Sequence, residues 1–251
     1  MPNFSFKIRR LHRFLGVTVG IQFLLWTLSG LYFSWSDIDE VHGDPQKKAT
    51  APLVSDSIGS PAAALKNLRQ AVGDFDLLDL RVVKILEKNY WQIAFHTKFG
   101  SGSNASKLHQ NQPPKYQLAD AKTGELRPPL SEKEALELAK HAFNCVPTVK
   151  KIEYLTQTGA HHEFRENPLP AFAVQFEHPT ATTVYVSTEL GSVQKFRNDS
   201  WRIFDFLWMF HTMDYRSRDD FNNWVLRIFS VLGLVTAASG FVLFFLTLKK
   251  R

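Results

Sequence analysis

Two stretches at opposite ends of the chain constrain it most: no charged side chain occurs over residues 14–36 or over residues 228–248. A backbone in hydrocarbon must satisfy its polar groups internally, and a helix does so. About 20 apolar residues in a helix cross the roughly 30 Å hydrocarbon layer, so each stretch is long enough to span. The first does not read as a removable leader. Lys7, Arg9, Arg10 and Arg13 precede it as in a signal peptide, but Ser29-Gly30-Leu31-Tyr32-Phe33-Ser34-Trp35 lacks a small-x-small cleavage site and ends in aromatic residues. Tyr32, Trp35 and Trp224 are expected as interfacial anchors, and Trp26 as a contact against a partner helix.

Charge then orients the chain. Four basic residues and no acid flank the first span, and the C-terminus reads Lys249-Lys250-Arg251. Of 30 Lys and Arg, these seven leave 23 in residues 14–248 against 24 acids, so the +6 formal charge resides at the two ends. Basic flanks stay in the cytoplasm, which predicts cytoplasmic termini and an extracytoplasmic middle. The positive balance is thus a topology signal, and no nucleic-acid partner is expected. Cys145 is the single cysteine, so no internal disulfide forms, and it is expected as a buried thiol.

Between the spans the same order of elements occurs twice. The first copy opens with a helix at Ser60-Pro61-Ala62, Ser as cap and Pro just inside. Strand patterns follow at 80–86, 90–95 and 116–120, ending in the turn Lys122-Thr123-Gly124-Glu125. The second opens with Ser131-Glu132-Lys133-Glu134, a capping-box pattern. Its strands lie at 149–154, 172–176 and 183–187, and its turn is Glu189-Leu190-Gly191-Ser192. Gly124 and Gly191 are 67 residues apart in matching contexts, which argues an internal repeat. Loop 100–114 reads as mobile, and loop 157–170, with His161-His162-Glu163, as a surface loop without metal-ligand spacing.

The fold class is therefore a two-span membrane protein with an α+β extracytoplasmic domain of two helix/antiparallel-sheet repeats. The divisions are a cytoplasmic tail and transmembrane helix over 1–36, a linker over 37–57, and repeats over 58–130 and 131–199. An amphipathic segment lying at the outer membrane surface follows over 200–223, then the second transmembrane helix and cytoplasmic tail over 224–251. Gly16-x-x-x-Gly20 and Gly233-x-x-x-Ala237 permit close helix contact, and Gln22 and Thr27 are expected to make helix–helix hydrogen bonds. Hydrolytic chemistry is disfavoured, for the chain has no Gly-x-Ser-x-Gly and no His-Glu-x-x-His. Phosphate-loop and dinucleotide fingerprints are absent too, so a cytoplasmic electron donor would be a quinol, a flavoprotein or another partner.

Four elements in order carry a family resemblance. Arg10-Leu11-His12-Arg13-Phe14-Leu15-Gly16 with Thr27-Leu28-Ser29-Gly30-Leu31-Tyr32, then Asp205-Phe206-Leu207-Trp208-Met209-Phe210-His211-Thr212, the last span and the two glycine turns resemble PepSY-associated transmembrane proteins. Longer members of that family include haem-containing reductases that release iron from ferric siderophores, with PepSY units outside the bacterial cytoplasmic (inner) membrane. The resemblance implies haem b, with His12 and His211 as axial ligands of the iron and Arg13 and Arg202 beside the propionates. This chain departs from those reductases in having two spans, with neither histidine inside one. His12 at the inner edge and His211 at the outer edge are too far apart to clamp one haem. A homodimer, or another membrane subunit, would bring paired histidines to each level, with Trp26, Trp208, Phe206 and Phe210 as apolar surroundings. The implied activity is electron transfer to ferric siderophores or chelates. The alternative is a non-catalytic membrane-anchored module that binds a peptide, protease or partner subunit.

Overall fold

The computed structural model describes residues 4–49, 52–53, 58–98 and 113–248. Loop 100–114, except Pro113 and Pro114, and the C-terminal basic run lie outside the described residues. The chain forms two compact units: one from residues 1–41 and 200–251, the other from residues 42–199.

The first unit holds the membrane elements. Helix α1 (Phe4–Trp35) and a C-terminal helix, Trp224–Leu248, both contain windows long and apolar enough to cross a membrane. They pack antiparallel: Phe23 meets Gly233, and His12 meets Ser239 and Gly240. The packed face of α1 is the row His12-Leu15-Val19-Gln22-Trp26-Ser29-Phe33, all buried or half-buried. Alternating steps of three and four keep these residues on one helix face. The remaining apolar side chains, among them Phe14, Val17, Ile21, Leu24 and Leu28, are exposed as a lipid-facing surface requires. Helix α1 begins at Phe4, so His12 lies on the first membrane helix itself, just ahead of its charge-free run.

The second unit, 42–199, is the expected tandem of repeats. Helix α3 (Ala62–Val72) precedes an antiparallel meander of β1 (Phe75–Ile85), β2 (Lys88–Thr97), β3 (Lys115–Asp120) and β4 (Leu126–Arg127). Helix α4 (Glu132–Ala142) precedes β5 (Thr148–Leu155), β6 (Ala171–Glu177), β7 (Thr183–Ser187) and β8 (Ser192–Arg197), again in sequential order. Each meander carries a bulge near the start of its first strand pair. Each helix buries an i, i+4 pair, Ala64 with Leu68 and Ala135 with Ala139. The capping box closes as its pattern predicts. Ser131 accepts from the Glu134 N–H, while Glu134 accepts from the Ser131 N–H at 2.9 Å and from Arg127 at 2.8 and 2.9 Å. Strands β4 and β8 escaped the sequence reading.

The two repeats share one core cluster, while the first keeps a second cluster of its own around Ala64, Leu68, Ile93 and Phe95. Ile85 and Leu118 of the first pack with Phe143, Phe172, Val174, Phe176, Val184 and Phe196 of the second. Gly191 makes this closeness possible: a Cβ there would lie 2.6 Å from Ile85 Cδ1, and its φ of +65° favours glycine. Among the hydrogen bonds that cross the seam are Gln92 Nε2 to the Leu190 carbonyl, the Leu130 N–H to the Thr188 carbonyl and the Arg127–Glu134 pair.

Three segments differ from expectation. The stretch read as linker carries helix α2 (Ile38–His42) and a 3₁₀ turn, Asp44–Gln46, and Gln46 bonds to Thr180 and Thr182 at 2.8 Å each. Loop 157–170 is anchored against sheet β5–β8: Phe164 is fully buried and stacks on Tyr185 at 4.5 Å, and the Tyr185 hydroxyl donates to Glu163 at 2.7 Å. Cys145, expected buried, is exposed, because it sits in the α4–β5 connection beside Val146, which is 98% exposed.

Candidate functional site

The membrane unit contains a third helix, α5 (Asp199–Thr212), which precedes the C-terminal span, α6 (Trp224–Leu248). Its 14 residues extend about 21 Å at 1.5 Å per residue, too short to cross hydrocarbon. It was expected to lie on the outer surface, yet it packs along α1: Phe204 and Trp208 meet Phe33 at 4.5 and 5.7 Å. Two features allow this. Asp205, the charge that argued for the surface, is buried and paired with Arg218. The last carbonyls of α5, which have no partner inside the helix, are all met by side chains. Gln22 Nε2 donates to the Phe210 carbonyl, Trp26 Nε1 to that of His211 and Asn223 Nδ2 to that of Thr212, each at 3.0 Å. Gln22 thus makes its expected interhelical bond, whereas Thr27 bonds within α1, to the Phe23 carbonyl.

The connection from α5 to α6 is held by Asp214. Burial pushes its carboxyl pKa up, but the Ser217 hydroxyl and the N–H groups of Asp220, Arg216 and Ser217 outweigh this and hold it well below the usual carboxylate range. Arg227, on α6, lies over the Trp224 ring at 5.4 Å and reaches Asn222 at 3.4 Å.

Against this scaffold the two histidines have matching environments. His12 Nδ1 lies 2.7 Å from Ser239 Oγ, across the α1–α6 contact. His211 Nδ1 lies 3.1 Å from Ser29 Oγ, across the α5–α1 contact. Each serine already donates its one hydroxyl proton to the carbonyl three residues back, Ser239 to Thr236 at 2.7 Å and Ser29 to Trp26 at 3.1 Å. With the hydroxyl proton on that carbonyl the serine oxygen is left to accept, and the matching donor is the Nδ1–H of the imidazole. The neutral ring then carries its lone pair on Nε2, and neither Nε2 has a hydrogen-bond partner among the described residues. Burial also lowers the His211 pKa, which favours the neutral ring.

The surroundings differ at the two levels. His12 lines a groove of about 580 Å³ with Phe23, Gly233, Thr236, Ala237, Gly240 and the Phe241, Phe244 and Phe245 rings. A Cβ at Gly240 would stand 3.3 Å from His12 Cε1, so glycine keeps that flank flat. On the α1 side, a Cβ at Gly16 or Gly20 would meet nothing within 4 Å, so this small-residue pair is not used within the chain. His211 is set among aromatic rings, with centroids of Phe33, Trp208 and Trp26 at 5.5, 6.1 and 6.5 Å. Ser29 follows His12 by 17 residues of helix, so the two levels are about 25 Å apart. One chain cannot bring the two side chains to the same atom, as the sequence implied.

Of the arginines expected beside the propionates, Arg13 is exposed and Arg202 is half-buried. No three His, Cys, Asp or Glu side chains among the described residues come together as a metal site. Ser29 and Ser239 were missed by sequence reasoning, though Ser29 falls on the same three-and-four row as His12.

The family profile described as PepSY-associated TM region matches residues 3–247. The chain belongs to that family. No curated protein and no solved structure matches it. A two-span membrane protein with an α+β domain between its spans is what this family member folds into.

Proposed function

We propose that this chain is a haem b-binding electron-transfer protein of the bacterial inner membrane, reducing ferric siderophores or chelates outside, with both termini cytoplasmic. The observation that carries the reading is the repeated His–Ser pair, which in the Nδ1–H tautomer leaves each Nε2 free to ligate. A hydrogen bond from the non-ligating nitrogen is the usual support of a metal-bound histidine. The fit extends to the surroundings: at His12 a flat, apolar groove bordered by Gly240 and phenylalanine rings, at His211 a cluster of aromatic rings.

His12 would hold the inner group and His211 the outer one. Haem would supply a one-electron iron couple whose potential follows ligand type and burial. The chain's own residues do the rest. Ser239 and Ser29 keep the Nδ1 protons in place, Gln22 and Trp26 hold the end of α5 so that His211 stays at the level of Ser29, and the phenylalanines exclude water. A homodimer supplies the second histidine at each level.

The test is the visible spectrum of protein purified from membranes with haem supplied, oxidised and dithionite-reduced, beside His12→Ala and His211→Ala. A Soret band with reduced α and β bands, diminished by each substitution, is expected. A colourless, folded wild-type protein would overturn the reading and leave a membrane-anchored partner-binding module.

A further inference from the structure

Between the two histidine levels the packed face of α1 is mostly aliphatic or polar: Leu15, Val19 and Gln22. One aromatic path interrupts it. The Trp26 ring lies 6.5 Å from that of His211, and its indole N–H donates to the His211 carbonyl at 3.0 Å. The Phe23 ring meets Trp26 edge-on at 5.6 Å. Phe23 in turn lines the same groove as His12. Its place depends on Gly233, where a Cβ would stand 3.1 Å from Phe23 Cζ. The contacts therefore run from the His211 ring through Trp26 to Phe23, at one end of the groove whose other end holds His12, about 16 Å further along the helix.

We propose that Trp26 and Phe23 are the bridge by which an electron crosses between the two histidine levels. The inference rests on the haem reading above. An electron tunnelling over such a span is attenuated far more by gaps between atoms than by rings in contact, so a continuous aromatic path dominates the coupling. The step moves one electron: a ferrous centre at one level becomes ferric while the ferric centre at the other becomes ferrous. No bond is made or broken, and no proton is required. Trp26 and Phe23 would touch neither iron; their part is to fill the outer section of the interval, and the groove spans the rest.

The experiment uses the full chain in proteoliposomes, mixed rapidly with external dithionite. Reduction of each level is followed by the difference spectra assigned with His12→Ala and His211→Ala. Trp26→Leu and Phe23→Leu are expected to slow electron transfer between the levels about tenfold in the fraction that carries haem at both, after correction for any change in Soret intensity and midpoint potential, with Trp26→Phe falling between. Phe23→Leu makes the test independent of the His211 environment, should Trp26→Leu disturb it. Wild-type rates in both leucine variants overturn the proposal. A second readout needs no turnover. Emission present in wild type and lost in Trp26→Phe should be quenched by haem binding in the His12→Ala background and in the His211→Ala background alike. Quenching in one background alone would remove Trp26 from the path. A wild-type protein that takes up no haem overturns the functional reading itself, and this inference with it.

Discussion

Replacing Ser239 by alanine isolates the tautomer argument at the inner level. The hydroxyl accepts the His12 Nδ1 proton at 2.7 Å. Without it, the N–H faces an apolar groove, and leaving such a donor unsatisfied costs about 1–3 kcal/mol. The ring can escape by carrying its proton on Nε2, the nitrogen needed for ligation, so the penalty returns as lost affinity. Loss of a supporting partner typically weakens metal binding by about 10–100-fold, or about 1.4–2.8 kcal/mol at 1.4 kcal/mol per tenfold, which agrees with the first figure. The assay is haem titration of the apo protein in the His211→Ala background, where only the inner level binds. Ser239→Ala should weaken binding about 10–100-fold, and Ser239→Thr, which keeps a hydroxyl, should weaken it less. Ser29→Ala should do the same to the outer level in the His12→Ala background. Unchanged affinity in Ser239→Ala, with binding abolished by His12→Ala, would refute the claim that the serine sets the ligating nitrogen.

Three further outcomes follow from particular contacts. Gly240→Leu should fill the flank 3.3 Å from His12 Cε1 and remove the inner Soret contribution while leaving the outer one, read from difference spectra. Gly124→Ala should destabilise the tandem domain by about 2–5 kcal/mol, the sum of left-handed strain and overpacking. Its Cβ would lie 2.6 Å from the Ala64 backbone nitrogen at a φ of +75°, and denaturation of the full chain measures the loss. Burial holds the His211 pKa below the ordinary 6.5, so on acidification the unfolded chain takes up this proton before the folded one. The stability this histidine contributes is complete above 6.5 and lost as pH falls from there towards the lowered folded pKa. A melting temperature insensitive to pH in that window, or equally sensitive in His211→Gln, would refute the assignment.

Much of this architecture is legible in the residues, and the failures have physical causes. Charge-free runs and the Ser131 capping box act locally, so α1, α6 and α4 were readable. The start of α1 was not, because a helix does not stop where the hydrocarbon does, and its first turns carry Lys7, Arg9 and Arg10. Helix α5 was expected at the membrane surface because it is too short to span and is interrupted by Arg202 and Asp205. The partner of Asp205, Arg218, lies 13 residues further along, beyond any local pattern, so the pairing of that charge was not readable. Loop 157–170 was read from its polar residues, yet one side chain, Phe164, fixes it to Tyr185. At the site the histidines were readable by type. Their serines were not, because each His–Ser pair joins residues more than 180 positions apart.

The same separation dictates how many chains the site needs. A bis-histidine haem takes two imidazoles at one level, and one chain offers a single histidine per level, about 25 Å from the other. In the haem reading the second ligand would come from outside the chain, and a second copy would supply it at both levels through one two-fold axis. Gly16 and Gly20 leave room for that approach, since a Cβ at either meets nothing within 4 Å. The prediction is a dimer with two haems, which co-expression can test. In a purified heterodimer of differently tagged wild-type and His12→Ala chains, the inner level should lose its six-coordinate spectrum while the outer level keeps it. A monomer in lipid nanodiscs that retains six-coordinate haem at both levels would refute the dimer, for the sixth ligand would then have to lie within the chain itself.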